Sequence, residues 1–589
     1  MNARNLPPTA WTTGSTEVFK TGTWRARLPR HVSAPSPCHA ACPVNGDISH
    51  WIGRARERDF RGAWEILTRN NPFPAVSGRV CHHPCETACN RQGFDEPISI
   101  CKLERHVGDL GLAERWSYPP PAVERSERVA IVGGGPSGLS AAYHLRRRGY
   151  AVTIFEAQER LGGLMRDGIP AYRLPRDVLD GEIDRIVALG IDVRCGVAID
   201  SMDNFAQLRE QFHAVYVAAG ARRPKRLPQL DYAQPWVVDG AGWLAQANAG
   251  QAPELGKRIV VVGGGSAAID VARSARRAGH EVTMLALESR GQMPAQRAEV
   301  EEALEEGVQL VDGASLVGAA ADAHGGSVTI DCVRVNFVAG AERGRFRIEP
   351  IEGSEFRLEA DAIVPSIGQD PDLAPFAQSV SADGALLRVD ATQATDAPGV
   401  YAGGDVASMA RFVTEAFGMG RRAAIAIDRA LCEKAQRPFD SGDVDPHSRG
   451  GQGNGRAANL AGAIPALAGE RLPGLGVDVQ RLVPLDAIAT FYYAHASRAP
   501  ELRVPAGERT GDVEVQLGLD GERALAEAAR CFSCGTCISC DNCFHYCPDL
   551  AIRRLPDGGY EVDGDYCKGC GICVRECPTG SMEMIEEMK

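Results

Sequence analysis

The chain has 589 residues, a formal net charge of −12, and 44% hydrophobic and 24% charged residues, as expected of a globular protein of several domains. The charge is spread along the sequence without a basic stripe, which argues against nucleic acid as a partner. No apolar run reaches transmembrane length and the first residues lack a signal peptide's apolar stretch, so we expect a cytoplasmic protein with no membrane partner.

The 19 cysteines are concentrated near the two ends of the sequence. Six lie within 38–101 and ten within 531–577. Disulfides seldom persist in a reducing compartment, so we expect most of these thiols to be metal ligands. The three remaining cysteines are scattered and are expected to be buried structural thiols: Cys195, Cys332 and Cys432.

The N-terminal part of the chain precedes any recognisable sheet. Residues 1–37 show no clear periodicity and are interpreted as an extended arm. From 38 to 125, short amphipathic stretches alternate with cysteine loops, which predicts a small helical domain. The proline-rich run SYPPPAVERSE near its end is a linker signal.

The stretch RVAIVGGGPSGLSAAYHLRRRG, 128–149, reads as a buried strand, a glycine turn and a helix. Gly133, Gly135 and Gly138 occupy the GxGxxG positions of a dinucleotide site, where a pyrophosphate would bind at the helix N-terminus. The next strand, AVTIFE, ends in Glu156, at a spacing that suits a ribose hydroxyl. A glycine turn without a ligand is the alternative.

A second unit of the same kind follows at 258–279, as RIVVVGGGSAAIDVARSARRAG. Gly263 and Gly265 repeat the motif, and Ala268 replaces its last glycine. Two strand–turn–helix units predict an α/β protein with parallel sheets.

Further segments make the resemblance specific: GGLMRDGIPAYRLP at 162–175, VYVAAGA at 215–221, and GVYAGGDV, which contains Asp405. Residues 128–430 resemble the FAD- and NAD(P)-binding core of the glutamate synthase small subunit family. That family includes the reductase half of dihydropyrimidine dehydrogenase and the NADH-dependent ferredoxin:NADP oxidoreductases. The resemblance implies FAD at the first site, contacted by Gly163 and Asp405, and a nicotinamide nucleotide at the second.

The resemblance also implies that the nucleotide domain is inserted in the FAD domain, giving two Rossmann-like domains. The helical iron–sulfur domain precedes them and a bacterial-type ferredoxin domain follows. Residues 433–526 are interpreted as a linker, since their first part is polar and glycine-rich. The expected boundaries are 126–256 and 361–432 for the FAD domain, 257–360 for the NAD(H) domain and 527–589 for the ferredoxin domain.

The second nucleotide strand departs from the family's NADP-specific members. Those members end this strand with an Arg-Arg pair, whereas VTMLALES places Leu287 and Glu288 there. A carboxylate suits a free ribose 2′-hydroxyl and repels a phosphate, so we expect NAD(H). Arg290, two residues further on, leaves NADP(H) as the alternative.

The C-terminal residues contain the motif C-x2-C-x2-C-x3-C-P twice, which predicts two 4Fe-4S clusters. The fourth cysteine of each run ligates the other cluster, while a zinc site would pair two C-x2-C elbows instead. The segment YCKGCGICVRECPTGSMEMI resembles the ferredoxin-like subunit of 2-oxoacid:ferredoxin oxidoreductases. One cluster is assigned Cys537, Cys540, Cys543 and Cys577, and the other Cys547, Cys567, Cys570 and Cys573.

Two more clusters are implied for the helical domain by the family resemblance. The family begins this domain with a segment like EAxRCxxC, which here stands near the other end of the chain as EAARCFSC, 527–534. One cluster is assigned Cys42, Cys81, Cys85 and Glu104, with Cys101 as the alternative fourth ligand. The other is assigned Cys38, Cys89, Cys531 and Cys534, unless the last two are free thiols.

The sequence therefore predicts a FAD-dependent NAD(P)H oxidoreductase subunit. It would move electrons between NAD(H), FAD and four 4Fe-4S clusters, with cofactor chemistry and no catalytic side chain. The expected partner is a 2-oxoacid:ferredoxin oxidoreductase core or a soluble ferredoxin. The alternatives are a glutamate synthase small subunit, which delivers electrons to an amidotransferase large subunit, and a wiring scaffold with an inactive flavin site.

Overall fold

The computed structural model describes residues 20–22, 25–322, 327–340, 345–439, 482–556 and 558–587. Within these ranges, no helix is long and apolar enough to cross a membrane. Most of the predicted arm, and residues 440–481 of the predicted linker, lie outside the described residues.

The N-terminal domain consists of short helices, because prolines and cysteine turns interrupt the chain repeatedly. Ser36 and Asp59 cap two helices by accepting hydrogen bonds from the backbone N–H groups of His39 and Gly62. Helix α6 is the longest and packs against α4. The elements are β1 (Arg27–His31), α1 (Pro37–Ala41), α2 (Ile48–Arg56), α3 (Phe60–Leu67), α4 (Pro74–Val80), α5 (Pro84–Thr87) and α6 (Ile100–Ala113).

The first piece of the FAD domain begins with the predicted strand, glycine turn and helix. Residues 129–132 are buried, which explains the apolar run in this strand. Its elements are β2 (Arg128–Val132), α7 (Pro136–Arg147), β3 (Ala151–Glu156), α8 (Leu164–Asp167), α9 (Arg176–Val187), β4 (Asp192–Cys195), α10 (Met202–Gln211), β5 (Ala214–Val217) and β6 (Arg223–Pro224).

The inserted nucleotide domain combines a parallel sheet with an antiparallel one. Its elements, and the short strands that follow it, are α11 (Gly240–Asn248), β7 (Arg258–Val262), α12 (Ser266–Arg277), β8 (Glu281–Leu285), α13 (Arg297–Glu305), β9 (Gln309–Val311), β10 (Ala314–Ala321), β11 (Val328–Ala339), β12 (Phe346–Ala360), β13 (Ala362–Pro365), β14 (Gln369–Asp370), β15 (Ala382–Asp383) and β16 (Leu386–Leu387).

The sheet order shows where this domain ends. The parallel sheet has the order β13-β7-β8-β9, and the antiparallel sheet the order β10-β11-β12. Strand β13 pairs in parallel with β7 and is buried, so the domain continues to Pro365, past the expected boundary at 360. Strands β14 and β6 then pair where the chain returns to the FAD domain.

The chain completes the FAD domain with β17 (Val400–Ala402) and α14 (Val413–Lys434). The resulting parallel sheet has the order β17-β5-β2-β3-β4, so the two pieces of the domain join through β17 and β5. Cys332 and Cys432 are buried as expected, whereas Cys195 is exposed. The expectation for Cys195 was wrong because this residue ends β4, the outer strand of the sheet.

The C-terminal part is more structured than the sequence predicts. From residue 482 onward the predicted linker forms turns, two strands and the start of a helix. The elements are β18 (Leu502–Arg503), β19 (Gln516–Gly518), α15 (Gly521–Ala529), α16 (Asn542–His545), β20 (Ile552–Arg554), β21 (Tyr560–Val562), α17 (Ile572–Arg575) and β22 (Met582–Glu586).

The described part of the N-terminal arm contacts the ferredoxin domain. Strands β1 and β22 pair antiparallel, with Arg27 opposite Glu586 and His31 opposite Met582. The Arg25 guanidinium donates hydrogen bonds to the Gly564 carbonyl and to the carboxylate of Glu587, the residue after β22. The first described strand is therefore part of the C-terminal domain.

The buried apolar residues of the described chain form several separate clusters. One cluster of buried residues is shared by the helical domain, one face of the FAD sheet, and helices α14 and α15. Two other clusters lie in the nucleotide domain and the segment that leads into it. Among the described residues, the nucleotide domain thus has apolar cores of its own.

Candidate functional site

The first glycine turn has the shape needed to bring a backbone close to a ligand. Gly133 has a φ of +106°, and a Cβ atom there would lie 2.3 Å from the Ala218 carbonyl oxygen. A Cβ on Gly138 would lie 2.0 Å from the Gly133 oxygen, so this glycine allows helix and turn to pack. At Gly135 the nearest atom to a Cβ is 3.8 Å away, which leaves this position accessible to a phosphate.

Glu156 ends β3 and lies beside this turn. One carboxylate oxygen accepts a hydrogen bond from Gly134 N–H at 2.7 Å, and the other accepts one from Gln158 N–H at 2.8 Å. The side chain is buried but lines the cavity described below. This orientation directs its carboxylate to the place where a ribose follows a pyrophosphate.

The second piece of the FAD domain brings Asp405 to the same place. It lies in a short turn, Gly404–Val406, between β17 and α14. Burial raises the pKa of Asp405, and Arg411 opposes the shift. Gly163, with a φ of +52°, faces Gly135 across the turn, where an added Cβ would lie 2.9 Å from the Gly135 Cα.

The second glycine turn repeats this geometry. Gly263 has a φ of +143°, and a Cβ there would lie 2.5 Å from the Ser366 carbonyl oxygen. Around Gly265 an added Cβ meets nothing within 4 Å, so the turn is open at the phosphate position. The methyl group of Ala268 lies against Gly263, which accounts for alanine at a packing position.

Glu288 follows the second strand of this domain and lies over its turn. A Cβ on Gly264 would lie 2.5 Å from Glu288 Oε2, and burial raises the pKa of this carboxyl group. Leu287 and Glu288 line the cavity, whereas the exposed Arg290 is not among its lining residues in the described chain. Glu288, the carboxylate that would repel a 2′-phosphate, thus lies closer to the second glycine turn than Arg290 does.

Both glycine turns open into one cavity of about 1400 Å³. Sequence reasoning identified its glycines and carboxylates but missed the polar groups between the two domains. These buried or half-buried side chains are Arg173, Asp270, Gln296 and Glu299. Arg173 and Asp270 lie in segments quoted above for other reasons, and nothing in those segments indicates this role for them.

The flavin side of the cavity touches the cysteine-containing loop of the helical domain. Val80, next to Cys81, lines the cavity. The Cys81 sulfur lies 3.5 Å from Thr414 Oγ1 on α14. The His82 ring stacks on Phe412, which also lines the cavity, with the ring centroids 3.8 Å apart.

The predicted ligands Cys42, Cys81, Cys85 and Glu104 are brought together beside this loop. Burial raises the pKa of Cys42 to about 12 and that of Glu104 to about 8. The carboxyl group also raises the pKa of Cys42 and Cys81, and Asn71 donates to Glu104 Oε1 at 2.6 Å.

Cys101, the alternative ligand, also lies near Cys81 and raises its pKa. Its own sulfur, however, lies 3.6 Å and 3.4 Å from the carbonyl oxygens of Ser77 and Gly78 on α4. Cys101 thus contacts the backbone of a neighbouring helix, whereas the Glu104 carboxylate contacts a side-chain amide.

Cys38 and Cys89 of the helical domain meet Cys531 and Cys534 from the C-terminal part. Burial raises the pKa of Cys38 well above its usual range, and the other three thiols raise it further. Two polar side chains that the sequence did not suggest contact this group. Ser36 Oγ lies 3.1 Å from the Cys38 sulfur, and Asn90 Nδ2 lies 3.4 Å from the Cys534 sulfur.

The ferredoxin cysteines form two further groups with the crossed pairing that the motif predicts. Burial raises the pKa of Cys543 to about 12, and Cys577, Cys540 and Cys537 add to the shift. Burial also raises the pKa of Cys573 to about 12, and Cys567, Cys547, Cys543 and Cys570 add to that shift.

The chemistry of these donor sets is that of iron–sulfur cluster ligands, since they consist mainly of cysteine thiols. Among the described residues, no three His, Cys, Asp or Glu side chains lie close enough to share one metal ion. Buried thiols whose pKa is raised need a strongly positive group to become thiolates, and the iron of a 4Fe-4S cluster would supply it. The residues present therefore fit the groups that the motifs imply.

Three segments of the chain match models of known protein families. Residues 127–420 match the model of the pyridine nucleotide-disulphide oxidoreductases, 32–116 that of the 4Fe-4S cluster domain II of dihydropyrimidine dehydrogenase, and 560–583 that of a 4Fe-4S binding domain. The solved structure of Mycobacterium tuberculosis FprA with NADPH, 15% identical, aligns with 69% of this chain and 100% of its own at a TM-score of 0.45.

Several relatives of this chain are named as subunits of oxidoreductases or dehydrogenases. The beta subunit of the NADP(+)-dependent formate dehydrogenase of Moorella thermoacetica is 34% identical over 85% of this chain and 70% of its own length. The beta subunit of the NADPH-Fe(3+) oxidoreductase of Geobacter sulfurreducens is 36% identical over 85% and 75%. Subunit PreT of the NAD-dependent dihydropyrimidine dehydrogenase of Salmonella typhimurium is 33% identical over 68% and 92%.

The comparisons extend over both nucleotide-binding domains and the iron–sulfur domains that flank them. The chain therefore belongs to the pyridine nucleotide-disulphide oxidoreductase family, as a FAD-dependent NAD(P)H oxidoreductase subunit with 4Fe-4S domains.

Proposed function

We propose that this chain transfers electrons between NAD(H), FAD and four 4Fe-4S clusters as the nucleotide-reducing subunit of a larger oxidoreductase. The observation that carries the proposal is the single cavity onto which both glycine turns open. Two dinucleotides bound at these turns would share one cavity, as direct hydride transfer between them requires.

The chain's own residues bind and orient the two nucleotides. The backbone at Gly135 and Gly265 is open to a pyrophosphate, and Glu156 and Glu288 are placed for the riboses. Bound FAD supplies the exchange between the two-electron chemistry of nicotinamide and the one-electron chemistry of the clusters. Because Glu288 would repel a 2′-phosphate, we propose NAD(H) as the nucleotide, although relatives of both specificities exist.

The order of the cysteine groups supports a continuous electron path. The group with Glu104 adjoins the flavin side of the cavity, and its Cys85 lies near Cys38 of the next group. That group includes Cys534, three residues before Cys537 of the first ferredoxin cluster. The second ferredoxin cluster would then be the end of the path and the place where a partner exchanges electrons.

For the partner, we propose a 2-oxoacid:ferredoxin oxidoreductase core or a soluble ferredoxin. The resemblance of the C-terminal segment to such ferredoxin subunits supports the first. A formate dehydrogenase or ferric-reductase type of partner is suggested by the relatives' names. The role of a glutamate synthase small subunit needs no added ferredoxin domain, and we place it last.

The experiment has two stages. Anaerobic titration of the holoprotein with NADH should bleach first the flavin absorbance and then the cluster absorbance. If neither NADH nor NADPH reduced the flavin, the proposal would be contradicted. Purification of the native complex should then identify the partner. A partner with a 2-oxoacid-binding core supports our assignment, and a glutamate synthase large chain refutes it.

A further inference from the structure

Among the described residues, the contacts between the nucleotide domain and the helical domain are polar, and the two domains share no apolar cluster. The apolar clusters of the nucleotide domain contain none of the described residues of the helical domain. By contrast, one apolar cluster runs from the helical domain through the FAD domain. Packing thus fixes those two domains to each other, and side-chain bridges orient the nucleotide domain.

The FAD domain supplies one of these bridges, from the segment GIPAYRLP. Arg173 pairs with Asp270 at 2.6 Å and also with Glu299, both in the nucleotide domain. The Tyr172 ring lies under the guanidinium groups of Arg273 and Arg277, at 4.8 Å and 4.1 Å. Ion pairs and cation–π contacts hold this side of the domain.

On the side of the nucleotide domain that faces the helical domain, the described residues form no apolar cluster that joins the two domains. A cavity of about 330 Å³ lies there. Its lining is mostly charged and includes Lys102 and Arg105 from α6, and Glu299 and Glu302 from the nucleotide domain. A polar cavity of this size does not fix the distance between the domains by packing.

A segment from the C-terminal part crosses this gap. We call residues 498–518 the strap; it contains β18 and β19. The strap is bound to the helical domain through Glu514, whose Oε1 lies 2.8 Å from Arg79 Nε and 2.9 Å from an Arg105 nitrogen. A third ion pair, 2.8 Å long, joins Lys102 to Glu501.

On its other side the strap is bound to the nucleotide domain and to the FAD domain. The buried Arg509 guanidinium pairs with Glu305 of α13 at 2.8 Å. Arg277 donates to the Gly511 carbonyl at 2.8 Å. The backbone N–H of Val515 donates to the Tyr172 carbonyl at 3.2 Å, next to the Arg173 bridge.

One side chain, Gln516, bonds to both sides of the gap at once. Its Oε1 accepts a hydrogen bond from Lys102 Nζ at 2.6 Å, and its Nε2 donates to Glu302 Oε1 at 2.8 Å. Resting on the function proposed above, we infer that Gln516 is a positioning residue. Through it, the strap holds the nucleotide domain at the distance from the flavin that hydride transfer needs.

Two substitutions separate the two bonds of Gln516. Gln516→Glu keeps the acceptor for Lys102 but places a carboxylate against Glu302. Gln516→Lys keeps a donor for Glu302 but places an ammonium group against Lys102. Glu508→Gln, at an exposed strap position, changes the charge of the same segment and is the matched control.

The test is stopped-flow reduction of the flavin by saturating NADH, in which one hydride moves from the nucleotide to the flavin, in full-length holoprotein. Both Gln516 variants should lower the limiting rate at least about fivefold, since small displacements of a reacting group cost that much or more. The Kd for NADH, and the flavin and iron contents, should stay near those of the wild type, which a general loss of structure would not allow.

A limiting rate within twofold of wild type in both Gln516 variants would overturn the inference. An equal loss in Glu508→Gln would overturn it as well, because the effect would then come from charge. If a Gln516 variant lost its flavin, Arg509→Gln would test the strap from its other contact by the same two criteria. Failure of the wild type itself to accept hydride from either nucleotide would instead refute the proposed function.

Discussion

The cluster that we propose for Cys38, Cys89, Cys531 and Cys534 can be tested by counting iron atoms. The sixteen proposed ligands form four groups, and one group takes two thiols from the helical domain and two from residues 531–534. Four 4Fe-4S clusters hold about 16 irons. Replacing Cys531 and Cys534 by alanine leaves only Cys38 and Cys89 for the shared cluster, so the variant should retain about 12 irons.

Truncation enlarges the difference. Removing residues 526–589 takes away both ferredoxin clusters and half the ligands of the shared one, which should leave about 4 irons per chain. If the ferredoxin domain were an independent tail, about 8 irons would remain. The exposed Cys195 gives a control, since its replacement by alanine should change nothing.

The assay is iron and acid-labile sulfide analysis of anaerobically purified protein, with the flavin content as a check on folding. A double variant that keeps the iron content of the wild type would refute the shared cluster. So would a truncated protein that retains its flavin and binds two clusters.

Three further predictions follow from the site. Steady-state kcat/KM should be higher for NADH than for NADPH, and a wild-type preference for NADPH would contradict this. Glu288→Ala should raise the KM for NADH about tenfold, because the substitution removes a hydrogen bond between the ribose and a charged group. Glu156→Ala and Asp405→Ala should each weaken FAD binding by about 1–3 kcal/mol while cluster absorbance stays unchanged, which equilibrium dialysis of the flavin can test. Glu104→Ala should remove one cluster, about 4 irons, whereas Cys101→Ala should not; the reverse pattern would make Cys101 the ligand.

The dinucleotide turns and the ferredoxin motif could be predicted because their chemistry requires fixed local spacings. Gly133 and Gly263 must adopt positive φ, and Glu156 follows at the end of the next strand, so a short window of sequence contains the whole pattern. The meeting of Cys38 with Cys534 has no such spacing and was inferred only from a displaced family segment. Their proximity in the structure depends on α15, which packs into the core of the helical domain.

Other features left no local signal. Gln516 and Glu514 stand in a polar stretch that resembles a linker. Their role could not be predicted from this stretch, because each makes its hydrogen bonds and ion pairs with residues hundreds of positions away. Strand β1 pairs with the last strand of the chain, and such a partner cannot be read from periodicity. Cys195 was misjudged because exposure at the edge of a sheet depends on strand order.

The pairing of β1 with β22 also bears on how the protein is made. During synthesis, domains near the N-terminus usually fold first. Here the helical domain would emerge from the ribosome before Cys531 and Cys534, the partners of two of its thiols, have been synthesised. Strand β1 would likewise emerge before its partner β22. At ~5–20 residues per second, the ribosome needs about 20–90 s to supply them. If these four thiols hold one cluster, as we propose, that cluster can be completed only after Cys531 and Cys534 have been synthesised, and until then Cys38 and Cys89 would be unligated thiols open to oxidation.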